Sequence, residues 1–269
     1  MTINFKLKEL DQIVPWGKEP ALRLSWFGMT DGELWLEFGT QTIYEYSKEA
    51  IDYFGERATR YNDYQLVRFI EDFTELFSNI NETIPEFFYD VTQDLNTFMF
   101  NADKCLAIYD SEEDELFDTY FEAYSDLTSW IHQRTFNSIH LIGGPTLSFF
   151  RRKSKVRIVW STEYILENGI HLWTAKDGFY EMDFRSFVVE IKKFGQNFFT
   201  QMDKQIELAL AKDWGKIEVD KQLLKEEHQQ RKKDFSAALS NLEQNQQVST
   251  NWTKIEELYQ QMSNELKNT

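Results

Sequence analysis

"ALRLSWFGMTDGELWLEFG", residues 21–39, decides how the rest of the chain is read. From Ala21 to Trp26 apolar and polar residues alternate as in a half-buried strand, and "ELWLEF" from Glu33 repeats the alternation. Between the two runs stands Asp31-Gly32, a strong hairpin signal because glycine accepts the positive φ of a primed turn. The pattern predicts an antiparallel hairpin that brings Trp26 and Trp35 together, with a third strand over 41–46. A tryptophan-clamped hairpin is first of all structural; an aromatic binding platform is the second reading and makes Trp35 a candidate binding residue.

Strand periodicity returns after a helical block. "SIHLI" from Ser138, the turn Gly143-Gly144-Pro145, "TLSFF", "KVRIVW", "HLWTA" and "FYEMDF" read as a second meander over 138–184, with Lys176-Asp177-Gly178 as another hairpin turn. In the intervening segment, Leu66, Phe69, Ile70, Phe73, Leu76, Phe77 and Ile80 keep helical spacing and predict one helix ending before Pro85. A short helix follows Pro85, and another runs from about 112 to 132. Beyond the second meander, helices are predicted over 185–211 and 219–242, and a last one opens with a Thr253 and Glu256 capping box.

Strands grouped in runs between helical blocks imply α+β architecture, with the two meanders pairing into one antiparallel sheet covered by helices. The domain reading is one α+β domain over 1–213 with a helical insertion at about 58–134. Residues 214–269 then form a C-terminal helical hairpin or appendage. Because "KEEHQQRKKD" leaves the 219–242 helix a weak apolar stripe, it is expected to be partly exposed or to serve self-association.

The core should be heavily aromatic, since the 269 residues include 23 Phe, 12 Tyr and 8 Trp. The net charge of −16 is unevenly spread: residues 1–150 hold 27 Asp and Glu against 10 Lys and Arg, and residues 151–269 hold 18 against 19. Such an acidic half disfavours nucleic acid and favours a basic protein partner. Cys105 is the single cysteine, so an internal disulfide is excluded and a reducing compartment is expected. Neither an export or organellar address nor an apolar run of membrane-spanning length is visible, which predicts a cytoplasmic protein that does not enter a membrane.

Local motifs exclude several chemistries. The histidines His132, His140, His171 and His228 make no paired ligand spacing, and HExxH, GxSxG, Walker and dinucleotide patterns are absent, so no metal or cofactor is expected. "YDSEEDELFD", 109–118, has alternating acids like a calcium loop, but Glu115 stands where the loop needs glycine. It reads better as an acidic helix start. "RRKSKVR", 151–157, concentrates five basic residues in a hairpin turn; it is either solvated, set against acids of the same fold, or an anion site.

"LRLSWFGMTDGELWLEFG", "HLIGGPTLSFFRRKSKVRIVW" and "HLWTAKDGFYEMDFRSFVVEIKKF" together resemble a bacterial family of uncharacterised proteins, a domain of unknown function with a tryptophan/TDG hairpin and a Gly-Pro strand pair. The resemblance covers about 16–210 and implies a fold but no catalytic residue. It associates the chain loosely with toxin immunity. The expected function is therefore a non-enzymatic acidic binding protein, immunity-like or inhibitory, that engages a basic protein partner through Glu112, Glu113, Asp114, Glu115 and Asp118. The alternative is an enzyme or small-ligand protein with an aromatic pocket on the sheet, lined by Trp35, Trp160 and Trp173.

Overall fold

The computed structural model describes residues 1–108, 117–244 and 250–268. Its strands form two four-stranded antiparallel sheets. In the first, β2 (Asp31–Phe38) is central. β1 (Thr2–Leu7) pairs along its whole length, with Phe5 opposite Leu34. β3 (Gln41–Ile43) and β4 (Asn62–Gln65) share the other edge of β2. The second sheet is the meander β5 (Thr135–Asn137), β6 (Thr146–Arg152), β7 (Lys155–Ser161) and β8 (Gly178–Asp183). An isolated bridge, Tyr46 to Trp173, joins the segment after β3 to the segment before β8. The α+β class stands as read, with two sheets in place of the one expected.

The helices are α1 (Lys48–Phe54), α2 (Leu66–Thr74), α3 (Phe77–Asn81), α4 (Glu86–Val91), α5 (Leu95–Ala107), α6 (Phe117–His132), α7 (Phe184–Ala211), α8 (Lys221–Glu243) and α9 (Trp252–Asn268). They enclose two hydrophobic clusters. The larger lies between the sheets, α2, α3, α7 and α8; the smaller joins α4, α5, α6 and α9. β6 is the wall between them, because successive strand side chains point to opposite faces. Phe149 therefore enters the larger cluster and Phe150 the smaller.

The predicted 21–39 hairpin is corrected by this topology. Residues 21–26 are not a strand; Asp31 starts β2, and the neighbour of β2 is β1 from the N-terminus. Gly32 is needed for approach, not for a turn: a Cβ there would lie 2.4 Å from the Lys6 carbonyl oxygen of β1. Trp26, fully buried, lies beneath α8, where its Nε1 donates to His228 Nδ1 at 3.3 Å. "SIHLI" is likewise a loop after β5, and "HLWTA" is not a strand; β8 pairs with β7 instead. The Asp177 carboxylate accepts the backbone N–H groups of Thr162 and Glu163, which explains this Asp-Gly without a two-residue hairpin.

Three helix expectations also change. The segment 66–80 breaks after Thr74 into α2 and α3. α5 was not foreseen, because its buried Phe98 and exposed Phe100 put apolar residues on opposite sides and blur the period. At α9 the cap is Asn251, whose Oδ1 accepts from Lys254 N at 3.2 Å, and Thr253 is already inside the helix.

The C-terminal helices, read from sequence as a hairpin or an appendage, each contribute to a core cluster. α8 buries Leu224, Phe235, Leu239 and Leu242 in the larger cluster, and α9 buries Ile255 and Met262 in the smaller. The polar middle of α8 is compatible with packing because its charges have partners across the interface. Lys232 pairs with Asp203 of α7 at 2.9 Å, and Arg231 pairs with Glu71 of α2. The stripe that suggested self-association is thus occupied by α7 within the chain.

Candidate protein-interaction face

Charge separated along the chain is partly rejoined in space. Of the acids between 52 and 126, Glu82 pairs with Arg134, Glu86 and Asp90 lie 3.0 and 3.9 Å from Arg152, and Asp126 pairs with Lys254. Arg152 and Lys254 from the near-neutral later half thus offset part of the acidic earlier one, which also pairs Glu82 with its own Arg134.

This accounts for "RRKSKVR". Lys153, at φ 54°, occupies the β6–β7 turn, while the arginines are committed to the fold. Arg151 donates to the Asn81 carbonyl at 2.6 Å, and Arg152 is held by Glu86 and Asp90. The Arg157 guanidinium lies over the rings of Tyr89 and Phe179 and donates to the Tyr89 carbonyl, Thr92 Oγ1 and Glu181. The Tyr89 hydroxyl and Arg157 hold the Glu181 carboxyl below the usual glutamate range despite its partial burial. Of the three readings of this turn, the one set against acids of the same fold fits these contacts.

The three tryptophans proposed for a pocket are each engaged separately. Trp35 stacks on Tyr61 with centroids 4.2 Å apart. Trp160 is buried against Phe38 and donates Nε1 to the Lys176 carbonyl at 2.8 Å. Trp173 stacks on Tyr46 and donates to the Gly143 carbonyl at 2.7 Å. The two buried indole N–H groups are satisfied by backbone, the usual state of a structural tryptophan.

His228 is equally tied in, between Trp26 and Asp203 Oδ1 at 2.7 Å. Since its Nδ1 accepts from Trp26, its Nε2 carries the proton toward Asp203. His140 is packed between the rings of Tyr64 and Phe69, and burial pushes its pKa down. Among the described residues no group of three or more His, Cys, Asp or Glu is placed to hold a metal ion, and no helix is long and apolar enough to cross a membrane.

The acidic site predicted from sequence flanks the α5–α6 connection. Glu112, Glu113, Asp114 and Glu115 lie outside the described residues, and Asp118 falls in the first turn of α6. The helices on either side are described. Asp94 caps α5 by accepting from Thr97 N, and Tyr124 of α6 donates its hydroxyl to Asp103 of α5 at 2.6 Å. Near the connection, Phe100 is 66% exposed, Phe121 51% and Ile108 42%. Exposed Asp103 and Glu122 accompany them. Sequence reading missed Phe100 and Ile108 because α5 itself was missed.

Cys105, on the same helix, is half-buried and donates to Glu265 of α9 at 3.0 Å. Burial first, and then this carboxylate, push the thiol up to about 12. A thiol of that pKa is almost wholly protonated at pH 8, so alkylation by iodoacetamide is expected to run at least about a hundredfold slower than for glutathione. Mass spectrometry of timed samples measures this; labelling at the glutathione rate would show a reactive thiolate instead.

A family model matches residues 2–258, which takes in α8 and the start of α9 beyond the 16–210 resemblance. No curated protein and no solved structure matches. The chain belongs to DUF5984, a family of unknown function.

Proposed function

We propose that this is an acidic, non-enzymatic protein-binding module of immunity or inhibitor type, working in a bacterial cytoplasm, that engages a basic protein partner through the α5–α6 end. The observation that carries the reading is the placement of Phe100 on α5, Ile108 just after it and Phe121 on α6, all exposed, on either side of the acidic segment 110–118. Acidic charge steers a basic partner and speeds encounter, while exposed aromatic side chains supply the desolvated anchors that charge lacks. The separate engagement of Trp35, Trp160 and Trp173 favours this reading over an aromatic pocket on the sheet.

The test is a lysate pull-down at low and high salt with the native chain, with E112Q/E113Q/D114N/E115Q, and with F100A/F121A. Neutralising the acids is expected to lower capture at low salt and flatten the salt dependence. Removing the rings is expected to lower capture at both salts. If the neutralised chain holds the same partners with the same salt dependence, the acidic-face reading fails.

A further inference from the structure

Between α5 and α9 runs an open groove, about 630 Å³ in volume. The two helices are parallel here: Phe98 stacks on Tyr259, and seven residues further along α5 Cys105 meets Glu265. Parallel packing gives the groove two electrically different ends. Asp90 and Asp94 stand at the end where α5 begins, and Lys104 and Lys267, in the last turns of α5 and α9, stand at the other. Between them the wall is apolar, from Phe98 and Met262, with Thr97, Asn101 and Ser263 offering hydrogen-bonding groups. From Asp94 to Lys104 is ten residues of helix, about 15 Å.

We propose that this groove binds an extended peptide segment of a partner protein, about five residues long, with cationic side chains at one end, carboxylates at the other and an apolar residue between. This rests on the protein-binding reading above and names the kind of segment bound. Length and charge carry the choice. Five extended residues span about 16 Å, the distance between the charged ends. A wholly basic segment would meet Lys104 and Lys267, and a wholly acidic one Asp90 and Asp94, so only a segment with separated charges matches both. A central apolar side chain buries against Phe98 and Met262, while Thr97, Asn101 and Ser263 meet its backbone.

The test is fluorescence anisotropy with the full chain and three labelled peptides: Lys-Lys-Ala-Leu-Ala-Glu-Glu, the same composition with charges alternating, and Lys-Lys-Ala-Leu-Ala-Lys-Lys. The charge-separated peptide is expected to bind one per chain and about tenfold tighter than the other two, a difference of a few exposed charge pairs. The variant K104E/K267E makes both ends acidic without touching the Asp94 cap. It is expected to invert the preference toward the all-lysine peptide. Equal affinity for all three peptides, or no inversion in the variant whose circular dichroism is native, overturns the proposal; so does binding at two or more peptides per chain. Purified components keep this outcome separate from the lysate experiment, because the groove variant leaves 112–115 intact and the acidic-segment variant leaves the groove intact.

Discussion

Replacing Arg134 by alanine is expected to destabilise the fold by about 3–5 kcal/mol, the cost of leaving a buried charge without its partner. Arg134 has no exposed surface although it is a full guanidinium. It pairs with Glu82, donates to the Trp130 carbonyl at 2.8 Å and lies 5.6 Å from the Trp252 ring. Glu82 in turn accepts from Thr250 Oγ1 at 2.7 Å and Trp252 Nε1 at 3.2 Å. One ion pair thus joins the end of α6, the turn before α4 and the start of α9. Burial lowers the arginine's pKa, and Glu82 pulls it back up.

Urea unfolding followed by circular dichroism measures the loss, and Trp252 emission should shift as α9 loosens. The double variant R134M/E82L is expected to be less destabilised than R134A, because it removes both charges and fills the space. A cost below about 1 kcal/mol for R134A would mean that water reaches the pair and that α9 is held by its apolar contacts alone.

The parts of the fold legible in sequence are those set by local rules. "TLSFF" and "KVRIVW" form β6 and β7; the strand takes in Arg151 and Arg152 as well, so the four residues between the two stretches shrink to a two-residue turn. The apolar stripe of residues 185–211 becomes α7, capped by Asp183, which accepts from Ser186 N. What failed was long-range. Nothing local tells that residues 2–7 travel to pair with β2, since strand partners are chosen by the whole fold and not by the nearest turn signal. The Asp-Gly signals misled for a related reason. Glycine answers to a close backbone approach as well as to a turn, and only the neighbouring strand reveals which.

The candidate site was legible in charge and not in shape. The acidic run at 110–118 is plain in sequence, yet exposed Phe100 and the groove between α5 and α9 belong to a helix whose periodicity is hidden. The basic turn gave the opposite difficulty. Five positive residues in seven left a solvated turn, a match to acids of the same fold and an anion site all open, because Tyr89, Asn81 and Glu86 come from elements some 65–70 residues earlier.

The sharpest difference between the hairpin read from residues 21–39 and the observed fold concerns its two tryptophans. A clamped hairpin makes Trp26 and Trp35 equal partners, and either replacement by alanine would then cost about the same. In the structure they are unequal. Trp26 is fully buried, its N–H is spent on His228, and the Arg231 guanidinium lies 4.6 Å from its ring. W26A is therefore expected to cost about 3–5 kcal/mol, from the cavity left by a large side chain together with the lost donor to His228. Trp35 is only half-buried and its main contact is the stack on Tyr61, so W35A is expected to cost about 1 kcal/mol. Urea midpoints of the two variants measure the ratio. Equal losses would restore the hairpin pairing and displace α8 from over Trp26. A large loss for W26A alone, accompanied by looser packing of α8 on α7 in hydrogen exchange, follows only if Trp26 is the seat on which α8 docks.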